Sequence, residues 1–239
     1  LYAALACAAH DIPFLLYAGE DAGRDRPIAL SQGSRFLLER VGAFKPLTTT
    51  TIQSIHVSQR GRFGRTLITA EDEGVPALGY VVSYVELCRV LRERLGTHRQ
   101  AGRVQHYALA PQGDAVAIES RDAQGQAASR TTPLLVLAEG SGPQGAATPR
   151  RDVPLRREGT RRRMFDAALT AGREYGQSAV VCEVRTELPH GHRAWERFTP
   201  EGPLALLPTG DALALVWSTN HETAHALCAL REPAFLARL

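Results

Sequence analysis

The run from Ala194 to Pro208, AWERFTPEGPLALLP, constrains the fold of this chain more than any other stretch. Its first half mixes charged and aromatic side chains, its centre is Pro-Glu-Gly-Pro, and its second half is apolar. Proline and glycine between two short segments mark a turn, and segments of this kind on either side of a turn are typical of paired strands. The run therefore predicts a β-hairpin, and with it a sheet that the hairpin must join.

The segments before this hairpin alternate between helix and strand. Residues 1–9 have a helical composition, 13–17 form a brief apolar run typical of a buried parallel strand, and 31–44 carry one apolar helical face. Residues 85–95 repeat apolar side chains at spacings of three and four, which predicts a further amphipathic helix. Other strands are predicted at 51–57, 66–69, 104–109, 115–119, 134–138, 178–184 and 212–217, with a final helix at 223–230. Helix–strand units followed by a run of antiparallel strands predict a mixed α/β fold.

The composition indicates a folded protein with a sizeable core and argues against several classes of function. Of the 239 residues, 44% are hydrophobic, and the formal net charge of +3 is too small to indicate nucleic-acid binding. The four cysteines form no CxxC pair and have no histidine at ligand spacing, so the sequence predicts neither a metal site nor a disulfide framework. No apolar run reaches the roughly 18 residues of a membrane span, and no signal-peptide pattern follows Leu1. We therefore expect reduced thiols and a cytoplasmic location.

Four short sequence motifs, which we call words, follow one another along the chain, and together they carry a family resemblance. They are DRPIAL at 25–30, GYVV at 79–82, YGQSAVV at 175–181 and ERFTPEGPLALLP at 196–208. Through these words the chain resembles the flavin-dependent hydroxylases of ubiquinone biosynthesis, the 2-polyprenyl-6-methoxyphenol hydroxylase family. The resemblance implies an FAD-dependent monooxygenase that uses NAD(P)H and O₂ to hydroxylate the ring of a polyprenyl phenol.

The same resemblance implies a Rossmann-like FAD-binding domain with an inserted, mostly antiparallel substrate-binding sheet, as in the hydroxybenzoate-hydroxylase fold. It assigns residues 1–45 and 79–150 to a partial, discontinuous FAD-binding domain, and 46–78 and 164–239 to the substrate-binding sheet and the helix after it. The family's glycine-rich turn would precede Leu1, and its Gly-Asp word would follow the last strand. We therefore expect this chain to be the middle of a longer enzyme, truncated at both ends, and by itself inactive and without bound FAD.

The resemblance also assigns candidate residues to the cofactor and to the substrate. Glu20 would meet the ribose and Arg26 the pyrophosphate, while Glu139 and Gly140 match the second flavin word of the family. Glu20 could instead be a solvated loop acid, and Arg26 a surface arginine. Glu139 and Gly140 could form an ordinary turn at the end of a strand. The predicted substrate wall consists of four apolar side chains on strands, each of which could instead be plain sheet core: Phe198, Leu204, Leu206 and Trp217. The sequence assigns no catalytic residue and no metal ligand.

Residues 141–163 differ in character from the rest, because glycine, proline and arginine dominate them. This composition predicts a mobile loop, and a patch that binds anionic lipid at the inner membrane is the alternative. For the whole protein, the partners implied are the polyprenyl phenol and other proteins of ubiquinone biosynthesis. A non-catalytic assembly subunit that keeps the fold without flavin is the alternative function, since Tyr17 and Glu139 depart from the family pattern.

Overall fold

The computed structural model describes residues 1–18, 24–96, 103–110, 115–122, 125–138 and 175–239. The chain divides into two compact units, of which the first takes in residues 3–21 and 95–171 and the second residues 22–94 and 172–239. In chain order the elements are α1 (Tyr2–Ala9), β1 (Pro27–Ser31), α2 (Gln32–Arg40), β2 (Thr50–Ile52), β3 (Ser54–Gln59), β4 (Arg65–Thr69), β5 (Gly79–Ser83), α3 (Tyr84–Leu95), β6 (Arg103–Leu109), β7 (Val116–Arg121), β8 (Ala127–Thr132), β9 (Gln177–Val184), β10 (Arg193–Thr199), β11 (Gly202–Thr209), β12 (Ala212–Asn220), α4 (His221–Cys228) and α5 (Glu232–Leu236).

The second unit is built on a six-stranded sheet with the strand order β4-β3-β10-β11-β12-β9. All neighbours are antiparallel except β3 and β10, which run parallel. The predicted hairpin is confirmed as β10 and β11, in which Thr199 pairs with Gly202 across the two-residue turn Pro200–Glu201. The strands predicted at 178–184 and 212–217 are also confirmed, as β9 and β12.

The two faces of this sheet have different neighbours within the unit. We call the face that bears Leu204 and Trp217 the helix face, because both pack with Val180 against Ala224 and Leu227 of α4. The opposite face contacts the small sheet at one end, where Ala194 of β10 joins a core cluster with residues of β2 and β5. We call this second face the open face, since apolar side chains farther from the small sheet remain exposed on it.

The small sheet has the order β1-β5-β2, and two of the sequence words form its centre. Strand β1 contains most of the DRPIAL word and pairs antiparallel with β5, which is the GYVV word followed by Ser83. Tyr80, Val81 and Val82 are all buried. Helices α2 and α3 follow directly after these two strands, so the words that carried the resemblance also fix where both helices begin.

Helix α2 is shorter than the predicted 31–44, because both of its ends are determined locally. Ser31 is the N-cap, since its Oγ accepts a hydrogen bond from the backbone N–H of Ser34 at 3.2 Å. Gly42 adopts φ +67°, a left-handed conformation that glycine reaches with little cost and that ends helices. The helix therefore spans Gln32–Arg40, and the chain turns before Phe44.

The first unit contains α1 and a three-stranded sheet of order β6-β7-β8. The predicted hairpin of β6 and β7 is confirmed, and β8 was not predicted. Two other strand predictions, at 13–17 and 134–138, are wrong. Residues 13–17 form only a single bridge at Tyr17, and 134–138 pair with no strand among the described residues, with Leu134 72% exposed. An apolar run becomes a buried strand only where neighbouring strands supply the hydrogen bonds, and the described part of the chain offers these runs no more than the bridge at Tyr17.

Two further observations concern the limits of the described chain. The loop predicted at 141–163 lies outside the described residues, so its mobility stays a prediction. Among the described residues, no helix combines the length and the apolar character needed to cross a bilayer. The predicted assignment of residue ranges to a flavin domain and a substrate domain likewise stays a prediction.

Candidate functional site

Arg26 is the predicted cofactor residue whose position the structure describes. It directly precedes β1, and its guanidinium carbon lies 3.9 Å from the centroid of the Tyr84 ring at the start of α3. An arginine stacked on an aromatic face keeps its N–H groups available at the rim of the ring. Among the described residues, no carboxylate or carbonyl pairs with the Arg26 guanidinium. The charge at this position is therefore exposed and held in one orientation.

The backbone amides that begin α3 are satisfied by the protein itself. The N–H of Tyr84 donates to the carbonyl oxygen of Arg26 at 3.0 Å, that of Val85 to the Asp25 carboxylate at 3.1 Å, and that of Glu86 to the Ser83 hydroxyl at 3.0 Å. Since the first N–H groups of a helix otherwise lack partners, these bonds complete its N-terminus. An anionic ligand near Arg26 would therefore be bound through the arginine side chain rather than through these amides.

Asp25 is the acidic residue that connects the chain before β1 to the start of α3. Its carboxylate also accepts the Ser83 hydroxyl, at 2.8 Å to each oxygen, and the backbone N–H of Arg26 at 2.9 Å. Partial burial raises the pKa of the Asp25 carboxyl, but the hydrogen bonds from Val85, Ser83 and Arg26 outweigh it and leave that pKa below its usual 3.8. Asp25 is therefore a structural anion that positions both Arg26 and α3.

The other three predicted cofactor residues, Glu20, Glu139 and Gly140, lie outside the described residues. Their contacts with a cofactor stay predictions. Cys88 of α3, which the sequence favours as a small buried hydrophobe rather than a reactive thiol, is 6% exposed and is part of the core.

The four residues predicted to wall a substrate pocket do not share one face of the sheet. Leu204 pairs with Trp217, and Leu206 pairs with Leu215, so all three predicted residues of β11 and β12 lie on the helix face. Trp217 is only 9% exposed and belongs to the core beneath α4. Phe198 pairs with Pro203, one residue out of phase with Leu204, and therefore lies on the open face. The reason is the alternation of side chains along a strand, which puts every second residue on the opposite side.

The open face carries an apolar surface that the sequence did not single out. Phe198 is 47% exposed on β10, and Val181 is 41% exposed on β9. Ala205 of β11 and Val216 of β12 lie side by side between β10 and β9, and Val216 is the direct partner of Val181. The alternation of side chains along a strand indicates this apolar surface from the sequence. Once Leu204 and Trp217 are assigned to the core, their neighbours Ala205 and Val216 must lie on the opposite face of the sheet.

One carboxylate shares the open face with these apolar groups. Glu196 pairs with Ala205 on one side and with Val57 on the other, and it precedes Phe198 by two residues on the same face of β10. Its side chain is half-buried. The open face therefore presents an acceptor beside an apolar surface, an arrangement that suits a ligand with one polar end and one apolar end.

Two histidines of the loop before β10 serve the scaffold. The Nε2 of His190 lies 3.0 Å from the Gly210 carbonyl oxygen, and its Nδ1 accepts the backbone N–H of His192 at 3.0 Å. The Nδ1 of His192 contacts Thr51 of β2, so this loop links the small sheet to the large one. His56 pairs with Trp195 and so lies on the helix face, away from Phe198.

The relatives found by comparison with known proteins include monooxygenases and hydroxylases of ubiquinone biosynthesis. No protein-family profile matches the chain. The ubiquinone biosynthesis monooxygenase COQ6, mitochondrial, of Mus musculus is 28% identical over 253 residues, which cover 98% of this chain and 51% of that protein. The ubiquinone hydroxylase UbiL of Rhodospirillum rubrum is 31% identical over 230 residues, covering 94% of this chain and 48% of that protein. The chain thus spans about half the length of the curated relatives it matches.

Solved structures share the fold at low sequence identity. Klebsiella pneumoniae HpxO complexed with FAD superposes with a TM-score of 0.61 at 16% identity, over 91% of this chain and 53% of that one. The flavin-dependent halogenase CmlS superposes with a TM-score of 0.66 at 14% identity, over 99% of this chain and 42% of that one. These neighbours confirm the predicted fold class, and the sequence relatives confirm the resemblance to the ubiquinone-biosynthesis monooxygenases.

Proposed function

We propose that this chain, a relative of the ubiquinone-biosynthesis monooxygenases, is the central part of an FAD-dependent hydroxylase that acts on the ring of a polyprenyl phenol with NAD(P)H and O₂. The observation that carries the proposal is the match to such a monooxygenase over 98% of the chain. The open face supports it, because an apolar surface with one carboxylate suits a prenylated phenol.

The residues present fit an anionic cofactor at one described position. Arg26 has a guanidinium without an acidic partner among the described residues and is fixed against Tyr84, so it can donate to a phosphate of FAD. The chemistry that FAD supplies when bound is the activation of O₂ with electrons from NAD(P)H. Glu20, Glu139 and Gly140 are the further positions that we propose for FAD.

On the substrate side, we assign the apolar contact to Phe198, together with Val181 and Val216. Glu196 would accept a hydrogen bond from the phenolic hydroxyl and so fix the orientation of the ring. Burying an apolar substrate against this face excludes water from the reacting carbon, which favours hydroxylation over unproductive oxidation of NAD(P)H. Leu204, Leu206 and Trp217 would support this surface from the helix face of the sheet rather than touch the substrate.

The proposal is tested with the full-length protein, FAD, NAD(P)H and a polyprenyl phenol. We expect Phe198→Ala to lower kcat/KM for the prenylated phenol about ten- to a hundredfold, since burying a phenylalanine is worth roughly 1.5–3 kcal/mol. The matched control is Phe36→Ala, which removes another exposed phenylalanine, on α2. Equal kcat/KM in Phe198→Ala and Phe36→Ala would remove Phe198 from the substrate site, and absence of any hydroxylated product in the unmodified protein would contradict the proposed function.

A further inference from the structure

The turn between β3 and β4 presents an unusual tip, residues 59–65, with the sequence QRGRFGR. Phe63 stands at this tip with its side chain fully exposed, at 110% of the reference value. Gly61 and Gly64 have φ values of +72° and +132°, which glycine adopts far more readily than other residues and which let the tip project as a compact turn. Strand pairing resumes at once, with Ser58 opposite Arg65. The aromatic ring is therefore held out by a well-paired hairpin.

The charges around Phe63 are almost all positive. Arg60 forms an exposed ion pair with Glu201 at 3.3 Å, whereas Arg62 and Arg65 have no acidic partner among the described residues. Arg197 of β10 pairs with the same Ser58 as Arg65 and lies on the same face of the sheet. With strands spaced roughly 4.8 Å apart, the Cα atoms of Arg65 and Arg197 lie about 10 Å from each other. The two arginines form a positive row directly behind the tip.

Apolar area continues from the tip along β4. Leu67 follows Arg65 on the same side of the strand and is 49% exposed. An exposed aromatic ring, an exposed leucine and several arginines on one edge form an amphipathic surface. Such a surface is matched by a partner whose outside is negatively charged and whose interior is apolar.

We propose that the β3–β4 tip binds an anionic lipid bilayer, with Phe63 inserted below the headgroups and Arg62, Arg65 and Arg197 contacting lipid phosphates. Arginine attracts anionic lipid within a Debye length, and an inserted aromatic ring adds apolar burial that free phosphate does not provide. The choice of a bilayer rests in one part on the proposed function, because a polyprenyl phenol resides in lipid. The other part of the argument for a bilayer rests on the exposed Phe63 ring and the arginines beside it.

The test is flotation of the full chain with vesicles of phosphatidylcholine, with and without phosphatidylglycerol. We expect binding to the anionic vesicles that weakens with added salt, and little binding to the zwitterionic ones. Phe63→Ala and the double variant Arg62→Glu/Arg65→Glu should each lower the partition coefficient about tenfold or more. The matched controls, Phe36→Ala and Arg24→Glu/Arg40→Glu, make the same changes at exposed positions elsewhere and should bind as the unmodified chain does.

A second measurement covers the case in which a variant does not fold. Phe63→Trp keeps an aromatic ring at the tip, and brominated lipid should quench its fluorescence strongly, in contrast to Phe36→Trp. Unchanged flotation of Phe63→Ala, equal binding to both kinds of vesicle, or equal quenching of the two tryptophan variants would each overturn the inference. Hydroxylation of a short-chain phenol in detergent is assayed separately: activity without vesicle binding overturns this inference alone, and vesicle binding without activity overturns the proposed function alone.

Discussion

At the scale of single residues, Gly202 is the position with the least freedom in the word ERFTPEGPLALLP. It adopts φ +138°, and a Cβ added to it would lie 2.1 Å from the carbonyl oxygen of Ser218 on the neighbouring strand. Real Cβ atoms do not approach a backbone oxygen so closely, so β11 and β12 could not keep their spacing. The glycine of the Pro-Glu-Gly-Pro turn is thus required by the adjacent strand as well as by the turn.

We therefore expect Gly202→Ala to reduce the free energy of unfolding by more than about 3 kcal/mol, since the strained backbone alone costs about 1–3 kcal/mol and the clash adds to it. Gly210→Ala is the matched control, because Gly210 also has a positive φ, +58°, but no atom within 4 Å of the added Cβ. It should cost only about 1–2 kcal/mol. Denaturant unfolding of both variants measures the difference, and equal destabilisation would refute the close approach to Ser218.

Arg26 carries the cofactor prediction at this scale. In the full-length protein, Arg26→Ala should weaken FAD affinity about ten- to a hundredfold, because a hydrogen bond to a charged group is worth roughly 1.5–3 kcal/mol. Loss of the contact with Tyr84 should lower stability by only about 0.5–1 kcal/mol. Arg24→Ala, an exposed neighbour, is the control. FAD titration followed by flavin fluorescence distinguishes the cases, and unchanged affinity in Arg26→Ala would make Arg26 a surface residue.

At the scale of elements, the sequence predicts best where the signal is local. The β10–β11 hairpin follows from the Pro-Glu-Gly-Pro turn between two strand-like segments, and α2 and α3 follow from their apolar spacing. The runs 13–17 and 134–138 were predicted as strands from apolar content alone, yet Leu15 is 50% and Val136 61% exposed. Strand formation depends on pairing partners distant in sequence, which composition does not reveal.

The candidate site shows the same limit on prediction. The sequence predicts the hairpin that bears Phe198, but it does not separate Phe198 from Leu204 and Trp217, which lie on the opposite face. Which face is covered depends on α4, an element that follows the sheet in the chain. Alternation could separate Phe198 from Leu204, but only the packing of α4 decides which of the two faces is buried.

The start of α3 gives a prediction that depends on pH. Because hydrogen bonds hold the pKa of Asp25 below 3.8 in the folded state, the carboxylate contributes stability that is fully present above the unfolded pKa and is lost as pH falls through the folded one. Asp25→Asn should therefore unfold somewhat more easily than the unmodified chain at pH 7, by about 0.5–1 kcal/mol, because asparagine keeps an acceptor oxygen but loses the charge that strengthens these hydrogen bonds. Urea unfolding from pH 7 down to pH 3 should show this difference begin to shrink near pH 4. If the difference in the free energy of unfolding stays constant over this pH range, or equals that of the exposed control Asp211→Asn, the role of Asp25 is contradicted.

At the scale of the whole molecule, the proposal assigns the open face of the six-stranded sheet to the substrate and the positions Arg26, Glu139 and Gly140 to FAD. The second unit holds the open face and Arg26, whereas Glu139 and Gly140 fall in the first unit and outside the described residues. The chain covers about half of the monooxygenases it resembles, so catalysis is a property to be measured on the full-length protein. Two variants, Phe198→Ala and Arg26→Ala, then separate substrate binding from cofactor binding in the same assay.

The central claim is that the full-length protein uses FAD to insert one atom of O₂ into the ring of a polyprenyl phenol. The most direct measurement is mass spectrometry of the product after turnover under isotopically labelled O₂, with the purified flavin-loaded protein, NAD(P)H and the prenylated phenol. We predict a hydroxylated ring that carries one labelled oxygen atom, formed only when FAD is present. Recovery of unhydroxylated phenol from protein that has bound FAD, or of a hydroxyl group without the label, would contradict the account.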